Sequence, residues 1–293
     1  MGLPAIKPYE MPTSKDVPAN RVSWEVDEAR AVFLIHDMQQ YFLNAYDETQ
    51  APIPELIRNI IKLKEACKER GIPVVYTAQP GDQDPKDRAL LQDFWGDGLR
   101  EDESVTKVID GLEPDEEDLV LTKWRYSAFK RTSLQAFLQE TGRDQLIISG
   151  VYAHIGCMVT ATEAFMEDVQ SFLVADAVAD FSEEKHKMAL DYVATRCGFT
   201  TTTEQVLSQV QREVSLDSYE GLRLKVAELL EQSPEELSNE ENLMHLGFDS
   251  IRMMSVVEEL RQVGVEIDFM TLAEQPTLTS WWAIVEEKSR QHV

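Results

Sequence analysis

The sequence predicts an α/β fold with a Rossmann-like parallel sheet flanked by helices, followed by a small all-α helix bundle. Short, almost wholly apolar segments such as AVFLIH at residues 31–36 alternate with amphipathic segments such as PELIRNIIKLKEACKER at residues 54–70. This alternation is typical of strands that are buried on both faces beneath covering helices. It ends near residue 204, and only helical periodicity follows, so the 293 residues are expected to form two unequal domains.

The elements of the first domain follow from this pattern. The predicted strands are five short, mainly apolar segments, at residues 31–36, 72–77, 119–122, 145–149 and 172–175, and a run of threonines at residues 200–203. Helices are predicted where apolar residues recur at helical spacing, at residues 54–70, 160–168 and 182–196. Ser182 stands at the start of the last of these and can cap it.

The domain boundaries follow from the change in pattern. We expect an α/β domain over residues 1–208, a linker over residues 209–214 and a helical domain over residues 215–293. The linker lies within a polar, helix-like stretch. The main helices of the second domain are predicted at residues 219–231, 251–263 and 278–289.

The charge of the chain argues against some classes of partner. It has 28 basic and 53 acidic side chains, for a net charge of −25, and 16 acidic against 6 basic side chains lie after residue 214. Such a surface repels phosphate backbones and anionic lipids, so we expect neither a nucleic-acid partner nor a membrane-surface role. The chain also has no apolar run of about 18 residues and no pattern of a secretion signal.

The cysteines indicate a reducing compartment. There are three of them, an odd number, and none belongs to a CxxC pair. This argues against a disulfide framework and a zinc site, and it favours a cytoplasmic location. No other metal-ligand spacing stands out, so no metal cofactor is expected.

The tail contains a serine in a distinctive setting. The stretch LGFDSI at residues 246–251 lies where a loop meets a predicted helix. Asp249 or Ser250 could simply cap that helix. The stretch resembles the LGxDSx signature of the carrier domains of nonribosomal peptide synthetases, and the resemblance implies that Ser250 carries 4′-phosphopantetheine. The positive end of a helix dipole suits a phosphodiester at that place.

The helix that follows Ser250 offers a candidate contact for partner proteins. Helical spacing places Met254 one turn after the serine, with Met253 and Val257 beside it. Exposed methionines adapt to several partners, so Met254 is the predicted contact. Met253 and Val257 fit the core of the bundle equally well.

Two charged side chains follow strands of the α/β domain. Asp37 comes after the first predicted strand, and Lys123 comes after the third. Because the carboxyl ends of parallel strands line the ligand crevice of such sheets, both side chains are expected there as a catalytic pair. Asp37 could instead cap a helix that begins at Met38.

The α/β segments together resemble the isochorismatase-like hydrolase superfamily. The similar segments are LIHDMQ, PVVYTAQP, RALLQDFWG, KWRYSAF and GRDQLIISGVYAHIGC. With the tail, they resemble bifunctional isochorismatase/aryl carrier proteins of catecholate siderophore synthesis. The resemblance implies hydrolysis of isochorismate to 2,3-dihydro-2,3-dihydroxybenzoate and pyruvate, with Asp37 as the acid beside Lys123. It also carries substrate-binding roles onto Gln79, Arg88, Tyr152 and Gly156.

The same resemblance implies a role and partners for the tail. The tail would carry activated 2,3-dihydroxybenzoate as a thioester. Its partners would be a phosphopantetheinyl transferase, a 2,3-dihydroxybenzoate-AMP ligase and a condensation domain of a nonribosomal peptide synthetase. Family analogy also suggests that the α/β domain self-associates as a homo-oligomer, although no interface is legible in the sequence.

One departure from the superfamily bears on the mechanism. Amidohydrolase relatives such as nicotinamidases use an Asp–Lys–Cys triad, and in this resemblance their cysteine aligns with Gly156, one residue before Cys157. The chain then has no thiolate at that place, which fits acid-catalysed cleavage of a vinyl ether and not acyl-enzyme chemistry. Two alternatives stay open: a cysteine amidohydrolase that uses Cys157, and an inactive α/β domain beside a working carrier.

The remaining histidines are interpreted mainly as structural. His36 is expected on the opposite face of its strand from Asp37, buried and hydrogen-bonded. His154 lies near the crevice and could touch the substrate. His186 is expected to be exposed on a helix, and Asp180 is expected in a solvated turn.

Overall fold

The structure is a computed structural model that describes residues 3–210, 216–230, 232–234 and 237–290. The chain divides into two compact units, Met1–Gln211 and Arg212–Val293. Of the predicted linker, residues 211–214 lie outside the described residues, and residues 209–210 belong to a helix of the first unit.

The described residues of the first unit form six strands: β1 Ala31–His36, β2 Val74–Ala78, β3 Leu119–Thr122, β4 Gln145–Val151, β5 Gln170–Ala179 and β6 Phe199–Thr201. They make one parallel sheet in the order β3-β2-β1-β4-β5-β6. This confirms the predicted fold class. The order reverses between β1 and β4, and in open α/β sheets the ligand crevice lies at the carboxyl ends of the strands beside such a point.

The strand β5 is longer than its apolar pattern predicts. It spans ten residues, whereas the pattern indicates only residues 172–175. Asp176 interrupts the pattern, but its carboxylate accepts hydrogen bonds from the backbone N–H and the hydroxyl of Thr203. A polar residue whose partner comes from elsewhere in the fold is therefore compatible with a buried strand.

Nine helices accompany the sheet in the described part of the first unit: α1 Gln40–Leu43, α2 Ile53–Glu69, α3 Pro85–Arg88, α4 Leu91–Trp95, α5 Glu103–Thr106, α6 Leu134–Glu140, α7 Met158–Met166, α8 Glu183–Arg196 and α9 Thr203–Val210. A π-helical turn, Ala153–Cys157, leads into α7. The predicted helices correspond to α2, α7 and α8, and the Ser182 hydroxyl caps α8 by accepting from the Lys185 N–H. The shortest helices are absent from the sequence prediction because four or five residues show no apolar period.

Two apolar clusters cover the faces of the sheet. Alternate residues of β1 divide between them, with Phe33 and Ile35 in one cluster and Val32 and Leu34 in the other. All four side chains are fully buried, as the two-residue period of a doubly covered strand requires. Ile6 of the N-terminal arm joins the first cluster, so the arm packs onto the domain.

The second unit is a small helical bundle, as predicted. Its described helices are α10 Tyr219–Leu230, α11 Ser250–Gln262, α12 Phe269–Glu274 and α13 Leu278–Arg290. Trp281 is fully buried against Phe248, and its indole N–H donates to the carbonyl oxygen of Leu272 at 2.9 Å. No helix among the described residues of the chain is both long and apolar enough to cross a membrane.

Candidate active site

A pocket opens at the carboxyl ends of the central strands. Its empty volume is about 580 Å³ with open solvent included. The residues to which the sequence analysis assigns catalysis or substrate binding in the α/β domain all line it: Asp37, Gln79, Arg88, Lys123, Tyr152 and Gly156. The parallel sheet brings them together because Asp37 follows β1, Lys123 follows β3 and Tyr152 follows β4.

The Asp37 carboxylate is held by three neighbours. Lys123 Nζ lies 2.8 Å from Oδ2, the Thr77 hydroxyl donates to Oδ1 at 2.7 Å, and the Gln79 amide donates to Oδ2 at 3.3 Å. The side chains of Lys123 and Asp37 are only 3% and 5% exposed. Asp37 also has a φ of 49°, a left-handed conformation that is uncommon outside glycine and that recurs at functional sites.

The environment of Asp37 favours its charged form. Burial raises the pKa of this carboxyl, but the charge of Lys123 and the hydrogen bonds from Lys123 and Thr77 together lower it more, so the pKa lies below its usual value. A general acid at neutral pH needs the opposite shift. Proton donation by Asp37 therefore requires a ligand that draws Lys123 away from it.

Two side chains that the sequence analysis did not single out position the others. Gln39 donates from Nε2 to the carbonyl oxygen of Gln79 at 2.9 Å and accepts from the Gln79 N–H at 2.7 Å. The Thr77 hydroxyl accepts from the backbone N–H of Asp37 at 3.1 Å while donating to its carboxylate. Both residues lie at or just beyond the end of a central strand, and that location is the signal that could have found them.

Arg88 and Arg125 add positive charge to the pocket. Arg88 is buried and donates from Nε to the carbonyl oxygen of Gly96. A Cβ on Gly98 would lie 2.4 Å from Arg88 Nη1, so the glycine leaves the space that the guanidinium occupies. Arg125 lines the same pocket, although the sequence analysis did not identify it. With Lys123, the two guanidinium groups suit a ligand that carries carboxylates.

Cys157 does not line the pocket, although its neighbour Gly156 does. The Cys157 thiol is fully buried in an apolar cluster, with Sγ 4.0 Å from the carbonyl oxygen of Ser149. Burial raises the pKa of this thiol well above its usual value. A buried, protonated thiol is a poor nucleophile, so the geometry agrees with a site that works without one.

Tyr152 presents its ring to the pocket. Its hydroxyl donates to the carbonyl oxygen of Phe42 at 2.8 Å, and its ring stacks on Phe181 with 4.3 Å between the centroids. Trp95 also lines the pocket and donates its indole N–H to the Tyr126 hydroxyl at 2.8 Å. The rings of Tyr152, Trp95 and Tyr126 line the same pocket as the cations.

His36 is buried and hydrogen-bonded, as predicted, but it is not confined to the opposite face from Asp37. Its ring lines the same pocket. The alternation of strand side chains does not extend to Asp37, because the chain leaves β1 there with a positive φ.

The predictions for Asp180 and His186 are wrong. Asp180 is fully buried and accepts from the backbone N–H of His154 at 2.6 Å, and its other oxygen lies 2.6 Å from His154 Nδ1. His186 is also fully buried, with Nε2 3.0 Å from the carbonyl oxygen of Ala175. His154 is not among the described residues that line the pocket with Asp37. Within the described residues, no group of three or more His, Cys, Asp or Glu side chains could hold a metal ion.

Ser250 is the first residue of α11 and is exposed. The capping residue of this helix is Asp249, whose carboxylate accepts from the N–H groups of Ile251 and Arg252. The Ser250 hydroxyl is thus at a helix N-terminus without being the cap, a position that fits a covalently attached phosphopantetheine.

The three candidate contact residues on the helix after Ser250 differ in their exposure to solvent. Met254 is 52% exposed, whereas Met253 and Val257 are 1% and 3% exposed and belong to the bundle core. The core interpretation of Met253 and Val257 is therefore the one that agrees with the structure.

Two protein families match this chain. The family described as Isochorismatase domain matches residues 31–205, and the family described as Phosphopantetheine attachment site matches residues 220–283. The two matches fall in the α/β unit and the helical unit, respectively.

Relatives match over nearly the whole chain. The protein named Isochorismatase from Bacillus subtilis (strain 168) is 52% identical over 304 aligned residues, which cover 99% of this chain and 97% of the relative. Enterobactin synthase component B from Escherichia coli (strain K12) is 46% identical over 288 residues, covering 98% and 99%. A crystal structure of a cysteine hydrolase from Pseudomonas syringae pv. phaseolicola 1448A is similar in fold, with a TM-score of 0.59 at 22% identity over 67% of this chain and 98% of that one. The chain belongs to the isochorismatase family, and its C-terminal unit is a phosphopantetheine attachment domain.

Proposed function

We propose that the α/β unit hydrolyses isochorismate to 2,3-dihydro-2,3-dihydroxybenzoate and pyruvate without a covalent intermediate. The observation that carries this proposal is the buried Asp37–Lys123 pair, 2.8 Å apart, in a cationic pocket where residue 156 is glycine. An acid and several cations fit the protonation of a vinyl ether that bears carboxylates. The relative named Isochorismatase supports the same substrate.

Asp37 is the proposed proton donor. The electron pair of the vinyl double bond takes the proton at the terminal methylene carbon of the enolpyruvyl group, which leaves an oxocarbenium ion. Water adds to that ion, and the extra proton of the added water returns to the Asp37 carboxylate, which gives a neutral hemiketal. The hemiketal collapses to pyruvate and the ring alcohol, whose oxygen keeps its bond to the ring.

The two carboxylates of isochorismate can resolve the charge conflict at Asp37. A substrate carboxylate that binds Lys123 removes the main counter-charge of Asp37 and places a negative charge nearby, so the pKa of Asp37 rises. Arg88 is the proposed receptor of the other carboxylate, because a guanidinium matches its geometry. Gln79, which contacts the Asp37 carboxylate, and the Tyr152 ring complete the proposed contacts.

The test is pyruvate release from isochorismate by the full chain. Asp37→Asn keeps the shape of the side chain but cannot donate the proton, so turnover should fall by at least ~10²-fold with binding largely kept. Cys157→Ala should turn over like the parent. Asp118→Asn is the matched control, because this carboxylate is 3% exposed and pairs with Lys68 at 2.9 Å outside the pocket.

Three outcomes would contradict the proposal. Near-normal turnover in Asp37→Asn would remove the acid from the mechanism. Loss of turnover in Cys157→Ala would favour the cysteine amidohydrolase. No pyruvate from the parent chain would favour an inactive α/β unit beside a carrier.

Ser250 is the proposed attachment point of 4′-phosphopantetheine in the helical unit. The exposed hydroxyl at the start of α11 supports this assignment, since a helix N-terminus favours a phosphodiester. The attached group supplies a thiol that holds activated 2,3-dihydroxybenzoate as a thioester. The proposed protein partners are a phosphopantetheinyl transferase, a 2,3-dihydroxybenzoate-AMP ligase and a condensation domain of a nonribosomal peptide synthetase. The three free, buried cysteines support a cytoplasmic location.

A further inference from the structure

The imidazole of His36 occupies a defined place in the wall of the pocket. Its Nδ1 lies 2.9 Å from the carbonyl oxygen of Val151, and its Nε2 lies 3.3 Å from the carbonyl oxygen of Tyr126. The ring is fully buried. Contacts to two carbonyl groups and complete burial leave it little freedom to swing away.

Two glycines lie against His36, one beside its ring and one beside its backbone. A Cβ on Gly156 would lie 2.0 Å from His36 Cε1 and within 2.9 Å of both ring nitrogens. A Cβ on Gly150, which has a φ of 106°, would lie 2.1 Å from the carbonyl oxygen of His36. Such distances are far inside van der Waals contact, so His36 and a side chain at position 156 exclude each other.

The excluded space is next to the reacting groups. His36 Nδ1 is 3.8 Å from Asp37 Oδ1, and the Asp37 carboxylate contacts Lys123. A thiol or hydroxyl at position 156 would therefore stand beside an acid–base pair able to activate it. The native thiol that is nearest in sequence, Cys157, is buried away from the pocket.

We propose that His36 is a specificity-determining residue: it keeps a nucleophilic side chain out of position 156, so the pocket works without a protein nucleophile. Its imidazole fills the volume that any side chain at position 156 would need. Exchange of Gly156 alone cannot place a nucleophile beside Asp37; His36 must be made smaller at the same time. This inference rests on the proposed function only in taking the pocket to be the catalytic one.

A double-mutant cycle in the full chain tests the steric claim. Gly156→Ala should lower the melting temperature of the α/β unit by about 4–10 °C, as overpacking of a core does. Adding Gly156→Ala to a His36→Ala background should cost less than half as much, because the ring that it meets is gone. Gly198→Ala is the matched control, since its Cβ would lie 2.4 Å from Ser171 Oγ and does not meet His36. His36→Ala should not relieve that substitution.

Thiol titration under native conditions gives a readout that does not depend on hydrolysis. The three native cysteines are buried, so the parent should react very slowly with Ellman's reagent. The double variant Gly156→Cys with His36→Ala should gain one reactive thiol, because residue 156 lines the pocket. Gly156→Cys alone should melt at a lower temperature than the parent.

Two results of the double-mutant cycle would overturn the proposal. If Gly156→Ala and Gly156→Cys melt like the parent, the ring does not exclude a side chain. If His36→Ala relieves neither substitution, some other group is the obstacle. Should the parent release no pyruvate, the proposed function fails, while the melting and thiol measurements still decide the claim about His36.

Discussion

Asp37 faces opposite requirements before and after the substrate binds. In the free pocket, its partners hold the pKa of the carboxyl below the usual value despite burial. In the complex it must be protonated to act as the acid. The residue that can connect the two states is Lys123, because the same ammonium can pair with either the Asp37 carboxylate or a carboxylate of the substrate.

The pH dependence of catalysis tests this exchange. At pH values above the pKa of Asp37 in the free protein, each further unit lowers its protonated fraction tenfold. Since kcat/KM reports the free protein, we expect it to fall about tenfold per pH unit across the neutral range. Lys123→Ala should raise the pKa of Asp37 and shift the start of this fall to higher pH, while KM rises and turnover drops.

The control for Lys123→Ala is Lys64→Ala. Lys64 is also a buried lysine, but it donates to the carbonyl oxygen of Glu113 at 2.6 Å outside the pocket. Its loss should leave the pH profile in place. A flat parent profile, or a Lys123→Ala profile that starts to fall at the same pH as the parent, would show that Asp37 does not supply the proton.

The residues of the α/β unit differ in how far the sequence could predict them. Asp37 and Lys123 are charged residues directly after apolar strands, and parallel strands place such residues at one edge. Asp180 could not be predicted in the same way. Its backbone N–H donates to the hydroxyl of Tyr9, 171 residues earlier in the chain, and local composition carries no sign of that partner.

The N-terminal arm is an element whose role emerges only from packing. Its proline-rich sequence indicates an extended segment, and the structure places the Tyr9 hydroxyl between two buried groups. It accepts from the Asp180 N–H at 2.7 Å and lies 3.1 Å from His186 Nδ1. Because His186 Nε2 faces the carbonyl oxygen of Ala175, Nε2 carries the proton and Nδ1 accepts from the tyrosine.

Removal of this hydroxyl should destabilise the α/β unit. Tyr9→Phe leaves the Asp180 N–H and His186 Nδ1 without a partner in a buried place, at an expected cost of about 1–3 kcal/mol in the free energy of unfolding. Urea denaturation at neutral pH measures it. Tyr192→Phe is the control, because Tyr192 is 39% exposed and should change stability little. Equal stability of the two variants would mean that the hydrogen bonds of the Tyr9 hydroxyl do not stabilise the α/β unit.

The helix α11 should combine an attachment residue with an interaction face. Ser250→Ala should abolish the mass increase from phosphopantetheine and leave isochorismate hydrolysis unchanged. Met254→Glu should keep the helical signal and the melting temperature, since this side chain is 52% exposed, and should slow aryl loading or the transfer that follows. Met253→Glu is the contrasting variant, because a charge at a 1% exposed position should unfold the bundle. Unfolding of Met254→Glu, or normal loading and transfer, would remove Met254 from the contact face.

A strand or helix could be predicted from the sequence where its apolar residues recur at a regular spacing. The apolar patterns of the strand β1 and the helix α2 extend over most of their length, and they predict both elements. Asp176 interrupts the apolar pattern of β5, so the pattern predicts a shorter strand, although Thr203 donates two hydrogen bonds to its carboxylate. The short helix α4 carries Trp95 into the pocket wall, yet five residues cannot show a helical period.

The whole chain combines two compact units whose chemistry is complementary in the proposed function. In that proposal, the α/β unit would make the precursor of an aryl acid by hydrolysis, and the helical unit would hold the activated aryl acid on Ser250. No residue of the proposed hydrolytic mechanism lies in the helical unit. Hydrolysis is therefore expected to be independent of the carrier's state of modification.

The position of bond cleavage tests the central claim most directly. We expect that the full chain, acting on isochorismate in water enriched in ¹⁸O, yields 2,3-dihydro-2,3-dihydroxybenzoate whose two ring hydroxyl groups contain no ¹⁸O. Protonation of the vinyl ether directs water to the pyruvyl carbon, so the ring carbon–oxygen bond stays intact. Mass spectrometry of the product measures this. One ¹⁸O atom in the ring hydroxyl would mean that water attacks the ring carbon, and it would contradict the proposed proton transfer from Asp37 to the enolpyruvyl group.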